Sequence, residues 1–136
     1  MPSAHRLGWG LFRASSMLVA MNRWVKVAAV SGALAVALGA FGAHGLKSQV
    51  TAESLESWKT ASHYHLVHSA VLLVLALAGE KNIWTKRLML TGICIFAGSL
   101  YIYVLSGVKF FAIITPLGGL TLILGWVSML FSSRQV

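Results

Sequence analysis

From Leu88 to Ser133 the chain reads LMLTGICIFAGSLYIYVLSGVKFFAIITPLGGLTLILGWVSMLFSS, 46 residues that hold one formally charged side chain, Lys109. A helix crosses the hydrocarbon core in about 20 predominantly apolar residues, because every backbone N–H and C=O must be paired internally where water cannot reach. The stretch is therefore two crossings, and Lys109 divides them. The reading extends upstream. Val27 to Leu46 lies between Lys26 and Lys47, and Thr60 to Gly79 lies between Lys59 and Glu80. With Leu88 to Val108 and Phe110 to Ser133 this makes four apolar spans, none containing a formally charged residue. Short connections make consecutive spans antiparallel neighbours. The expected fold is an all-α integral membrane protein, a four-transmembrane-helix antiparallel bundle.

Composition agrees. Of 136 residues 57% are hydrophobic and 10% charged, too little polar surface to coat a soluble globule of this size. The net charge of +8 comes from eleven Lys and Arg against Glu53, Glu56 and Glu80. These bases flank apolar runs and form no stripe beside a nucleic-acid-binding motif, so the partner they imply is anionic lipid, with no role for nucleic acid. Arg6, Arg13, Arg23, Lys26, Lys81, Lys86, Arg87 and Arg134 fall on one side of the membrane, Lys47, Lys59 and Lys109 on the other. Eight against three puts both termini on the inner side. Trp24, Trp58 and Trp84 sit at span ends, where an indole meets both headgroups and chains.

Before the second span, Thr51 can cap a helix whose first turns carry Glu53 and Glu56, with Glu56 placed to pair with Lys59. One helix is expected from about Thr51 into the span, with Leu55 and Trp58 turned toward the membrane. Residues 1–20 form an N-terminal extension to the membrane domain of residues 21–136. Arg6, Arg13, several Ser and no acid give it transit-peptide composition. Met21 as the natural start, or an interfacial helix using Leu7, Trp9, Leu11 and Phe12, are equal readings.

Ser31, Ala35, Gly39 and Ala43 recur every four residues, a nearly bulk-free face on which another helix can approach closely. Gly92, Gly98, Gly118, Gly119 and Gly125 offer similar approaches in the third and fourth spans. Tyr64, His65 and His68 share one helical face, expected to look toward the first span, and antiparallel packing brings His44 to their level. Imidazoles suit Zn, Cu, Fe or haem, which makes His44, His65 and His68 candidate metal ligands. No carboxylate lies within a span to complete a site, so neutral, hydrogen-bonded His and Tyr joining helices is the preferred reading, with no metal and no cofactor. Pro116 should kink the fourth helix or make it start anew. The chain has no Asp, no phosphate-binding glycine loop and no evident nucleophile triad, so an enzyme is not expected. Cys94, the single cysteine, can form no intrachain disulfide.

Three stretches together resemble a known family: LGAFGAHGLK (Leu38 to Lys47), WKTASHYHLVHSA (Trp58 to Ala70), and GSLYIYVLSG followed by ITPLGGL (Gly98 to Leu120). Over Met21 to about Phe131 the chain is similar to the YgdD/YwdK-like family of small four-span inner-membrane proteins, a domain of unknown function with eukaryotic counterparts assigned to mitochondria. The positions that match its motif are Gly42, His44, Tyr64, His68, Gly98, Ser99, Tyr101, Pro116, Gly118 and Gly119. The resemblance implies the topology and a bacterial inner (plasma) membrane, or alternatively the mitochondrial inner membrane, and supplies no substrate. The function expected from negative evidence and small-residue faces is a non-enzymatic accessory, assembly or structural component, in a membrane-protein complex or a homo-oligomer. The alternatives are a carrier or channel for a small solute or ion, and a His-based metal or haem protein.

Overall fold

Short polar side chains cap the helices that start at Ala52 and Ile83, and a glycine ends the latter. In the computed structural model, which describes residues 4–132, with side chains from Arg23 onward, the order is α1 (Ala4–Phe41), a π-helical turn (Gly42–Leu46), α2 (Ala52–Leu77), α3 (Ile83–Ser106) and α4 (Lys109–Leu130). Arg23–Leu46, α2, α3 and α4 are each long and apolar enough to cross a membrane, and the chain is an all-α, four-span membrane protein. The expectations for Leu7, Trp9, Leu11 and Phe12, and for Arg134, fall on side chains outside the described residues.

Thr51 Oγ1 accepts the Ser54 N–H at 3.2 Å, capping α2 as the sequence implies, and Lys59 Nζ lies 2.6 Å from Glu56 Oε1 at the exposed surface. Asn82 Oδ1 accepts the Trp84 N–H at 3.0 Å, so α3 starts five residues before the apolar run at Leu88. Its extra turn carries Lys86 and Arg87, whose cationic groups lie over the Trp24 and Trp84 rings at 5.6 and 5.4 Å. Gly107, at φ 70°, takes the left-handed conformation that ends α3 and lets its N–H reach the Tyr103 carbonyl, so two residues suffice to reverse the chain into α4. The fourth helix stops at Leu130, short of Ser133.

α2 and α3 are central. α4 packs along α3, and α1 packs on α2; no Cα of α1 comes within 8 Å of α3 or α4. Two apolar clusters hold the arrangement. Ala28, Leu72, Leu75, Met89, Ile93 and Leu122 fill the end where α2 turns into α3, and Leu46, Trp58 and Val104 fill the other. Buried polar side chains lie between: Ser31, His65, His68, Ser69, Ser99 and Thr115.

Two expectations change here. Trp58 is 1% exposed and does not face the membrane; its indole N–H donates to the Leu38 carbonyl at 2.7 Å. Gly42 makes this possible, since a Cβ there would lie 2.7 Å from Trp58 Nε1. The small-residue face of α1 also leaves its regular interval: Ser31 and Ala35 are buried and Gly39 rests on Ser62, but Ala43 is exposed and buried Gly42 takes its place. An interval of four outruns the 3.6-residue turn, so Ala43 lies about 120° around the helix from Ser31. The steps Ala28, Ser31, Ala35, Leu38, Gly42 alternate three and four and hold the face.

Candidate functional site

A connected set of hydrogen bonds joins α1, α2 and α3 within the bundle. Ser69 Oγ lies 2.7 Å from the His65 carbonyl, which can only accept, so Ser69 donates. Its proton is then spent, and across the 2.6 Å to Ser69 it is Ser31 that donates. Ser31 Oγ can therefore only accept from His65 Nε2 at 3.2 Å, which makes the neutral imidazole the Nε2–H tautomer. His65 Nδ1 is left as an acceptor, and the Tyr101 hydroxyl, 3.3 Å away, donates to it. Every proton in the chain from Tyr101 to the His65 carbonyl thus has one direction.

His68 is wired differently. Its Nδ1–H donates to the Tyr64 carbonyl at 2.8 Å, and its Nε2 accepts from the Trp126 indole of α4 at 3.2 Å. Two histidines one turn apart therefore hold opposite tautomers and serve opposite neighbours. The expectation that Tyr64, His65 and His68 all face α1 is corrected accordingly. Tyr64 and His65 point about 100° apart on a helix, and with α2 central its buried sector looks at α1 on one side and α3 and α4 on the other. Tyr64 is largely exposed, its ring stacked on His68 at 5.7 Å and against Phe96 at 4.7 Å.

His44, in the π-helical turn, is exposed. The structure does not bring it to His65 and His68: among the described residues no three His, Cys, Asp or Glu side chains gather as a metal site would require. The lone pairs a metal would need are also occupied, His65 Nδ1 by Tyr101 and His68 Nε2 by Trp126.

Ser99 Oγ meets Thr115 Oγ1 at 2.8 Å between α3 and α4, and the Ser128 and Thr85 hydroxyls meet at 2.9 Å nearer the Lys81 end. Pro116 is exposed, and α4 runs through it as one helix without starting anew. The Thr115 hydroxyl donates to the Phe111 carbonyl, and on the next turn a Cβ on Gly118 would lie 2.6 Å from Phe96 Cα, so α3 clamps the helix on both sides of the proline. Gly119 touches only the Phe96 ring, and Gly92 and Gly125 admit Leu122 and Met89. Gly98 is no helix contact. A Cβ there would meet nothing within 4 Å, because Gly98 lines a cavity of about 490 Å³ between α1 and α3. Ser31, His65 and Tyr101 are among the residues that line it. Among the described residues no buried side-chain polar atom lacks a partner.

Sequence reading missed Trp126 and Ser69. Trp126 carried no signal, as a tryptophan in an apolar run reads as lipid-facing bulk. Ser69 did carry one: it follows His65 by four residues, the spacing of a hydroxyl that bonds back to its own helix.

The pattern of the family described as protein of unknown function DUF423 matches residues 38–119. The UPF0382 membrane protein YwdK of Bacillus subtilis is 36% identical over 119 residues, covering 83% of this chain and 97% of its own length. The UPF0382 inner membrane protein YgdD of Escherichia coli is 38% identical over 114 residues, 80% of this chain and 87% of its own. A UPF0382 membrane protein of Schizosaccharomyces pombe is 39% identical over 118 residues, 81% of this chain and 99% of its own. No solved structure matches the chain.

Proposed function

The chain belongs to the DUF423 family, whose relatives carry the name UPF0382 membrane protein, and from that premise we propose that it is a non-enzymatic accessory or assembly component of an inner membrane. The observation that carries this reading is the use made of the polar side chains. Ser31, His65, Ser69 and Tyr101 tie α1 to α2 and α3; His68 and Trp126 tie α2 to α4; Ser99 with Thr115 and Thr85 with Ser128 tie α3 to α4. These groups hold helices in register, and none is left poised as acid, base or nucleophile toward a substrate. α1, packed chiefly on α2, keeps Val30 and Leu34 exposed on one side and Val36 on the other, apolar surface fit to meet another membrane protein or a second copy.

Gentle detergent extraction at native expression, followed by native mass measurement, tests the reading. The expected species exceeds the 14.6 kDa chain by a stoichiometric protein partner or a second copy. A bare monomer with no partner, in every detergent that preserves the bundle, would overturn it. A carrier for a polar solute finds little support by comparison, since the cavity beside α1 is walled chiefly by Val27, Val30, Leu34, Leu90 and Ile93.

A further inference from the structure

The cavity between α1 and α3 is long, apolar and open along its side. It runs from Lys26 to Leu38 on α1, twelve residues and about 18 Å of helix. Val30, Leu34 and Cys94 on its walls are exposed, so in a bilayer the groove opens into hydrocarbon. A space this size beside a packed bundle does not stay empty in lipid, and a chain enters it.

What distinguishes this groove from ordinary lipid-covered surface is the end at Tyr101. The one-way order of the hydrogen bonds spends the Tyr101 proton on His65 Nδ1 and leaves the phenolic oxygen with unshared pairs only. A hydrocarbon tail laid against that oxygen leaves it without a donor, and a carbonyl or ester sets lone pair against lone pair. A hydroxyl satisfies it. Tyr101 lies five residues from the end of α3 at Ser106, about 7.5 Å of helix, a depth suited to the hydroxyl of an amphiphile whose tail fills the groove toward Lys26.

We propose that the groove between α1 and α3 is a binding site for a single-headed membrane alcohol, its hydroxyl donating to Tyr101 Oη and its apolar tail lying between Val30, Leu34, Ile93 and Ala97. The site selects for a hydrogen-bond donor and against esters and ethers of the same length. Tyr101 reads the headgroup, and His65 with Ser31 and Ser69 fixes the polarity of the reader.

The test uses the full chain in phosphatidylcholine nanodiscs and a hexadecanol bearing a photoreactive diazirine in its chain. Crosslinks are expected to concentrate on groove residues such as Val30, Leu34 and Cys94. Unlabelled hexadecanol should compete about fivefold better than hexadecyl methyl ether, the worth of one intramembrane hydrogen bond. Tyr101→Phe, which removes only the oxygen, should bring alcohol and ether to equal potency. Crosslinks spread evenly over the lipid-facing sides of all four helices would overturn the proposal. So would equal competition by alcohol and ether in the unaltered protein, a comparison that needs no variant, or a preference for the alcohol that survives in Tyr101→Phe.

Discussion

Trp126 of α4 donates its indole N–H to Nε2 of His68 on α2, 3.2 Å away, and this bond joins two helices that are not neighbours in sequence. Trp126→Phe keeps an aromatic ring and removes the donor together with the pyrrole half of the indole. It should lower stability, and the share that belongs to the bond should be about 0.6 to 1.7 kcal/mol, the mean and the maximum coupling measured for hydrogen bonds between membrane helices. Reversible unfolding in mixed micelles measures the loss. In a double-mutant cycle with His68→Leu the two effects should fall short of additivity; strict additivity would mean that the bond contributes nothing.

Gly118→Ala and Gly98→Ala are the same chemical change with opposite expectations. At Gly118 the methyl group meets the backbone of Phe96, which cannot move aside as a flexible side chain would, and α3 and α4 should separate at a cost of about 1 to 3 kcal/mol. At Gly98 it enters the cavity with nothing within 4 Å, and the change should stay within about 0.5 kcal/mol. Thermal unfolding of the two variants side by side decides it, and equal losses would contradict the packing described.

Glu80 sits in the turn between α2 and α3, where the Ser132 hydroxyl, then the Asn82 N–H, hold its carboxyl below the ordinary glutamate value of 4.5. A group whose pKa is depressed on folding contributes stability that is present above its unfolded value and is lost as pH falls through the folded one. Melting temperature should therefore be flat down to about pH 4.5 and decline below it, and Glu80→Gln should flatten that decline. An unchanged acid limb in Glu80→Gln would assign the decline to another group.

From the charge asymmetry, Arg23, Lys26, Lys81, Lys86 and Arg87 are expected on the inner side, and Glu53, Glu56 and Lys109 on the outer. In a Cys94→Ala background, a cysteine placed at Lys81 should resist a membrane-impermeant thiol reagent applied to intact cells or mitoplasts, and one at Glu53 should react. Labelling at position 81 without permeabilisation would invert the topology.

Spans and turns were legible because they depend on composition over about twenty residues, a property that needs no knowledge of neighbours. The Thr51 cap and the Glu56–Lys59 pair were legible because both are local. What escaped the sequence is non-local. Trp58 reads as an interfacial tryptophan until Gly42 is known to lie beneath it, and Ala43 reads as part of the packing face until the drift of an interval of four is set against the 3.6-residue turn. Tyr64, His65 and His68, with His44, read as the chemically suggestive cluster, yet the division of labour between His65 and His68 depends on α2 being flanked by α1 on one side and by α3 and α4 on the other.

That same placement of α1, packed chiefly on α2, bears on how the molecule is made and unmade. α2 packs on α3 and α3 on α4 through very short turns, and Trp126 joins α4 back to His68 of α2, so the three can close into a trio as soon as α4 leaves the insertion machinery. α1, though synthesised first, leans chiefly on α2. Pulled by its N-terminal end, the protein should yield α1 as a separate early step, with the hydroxyl chain at Ser31 parting first, and then the trio as a second cooperative unit.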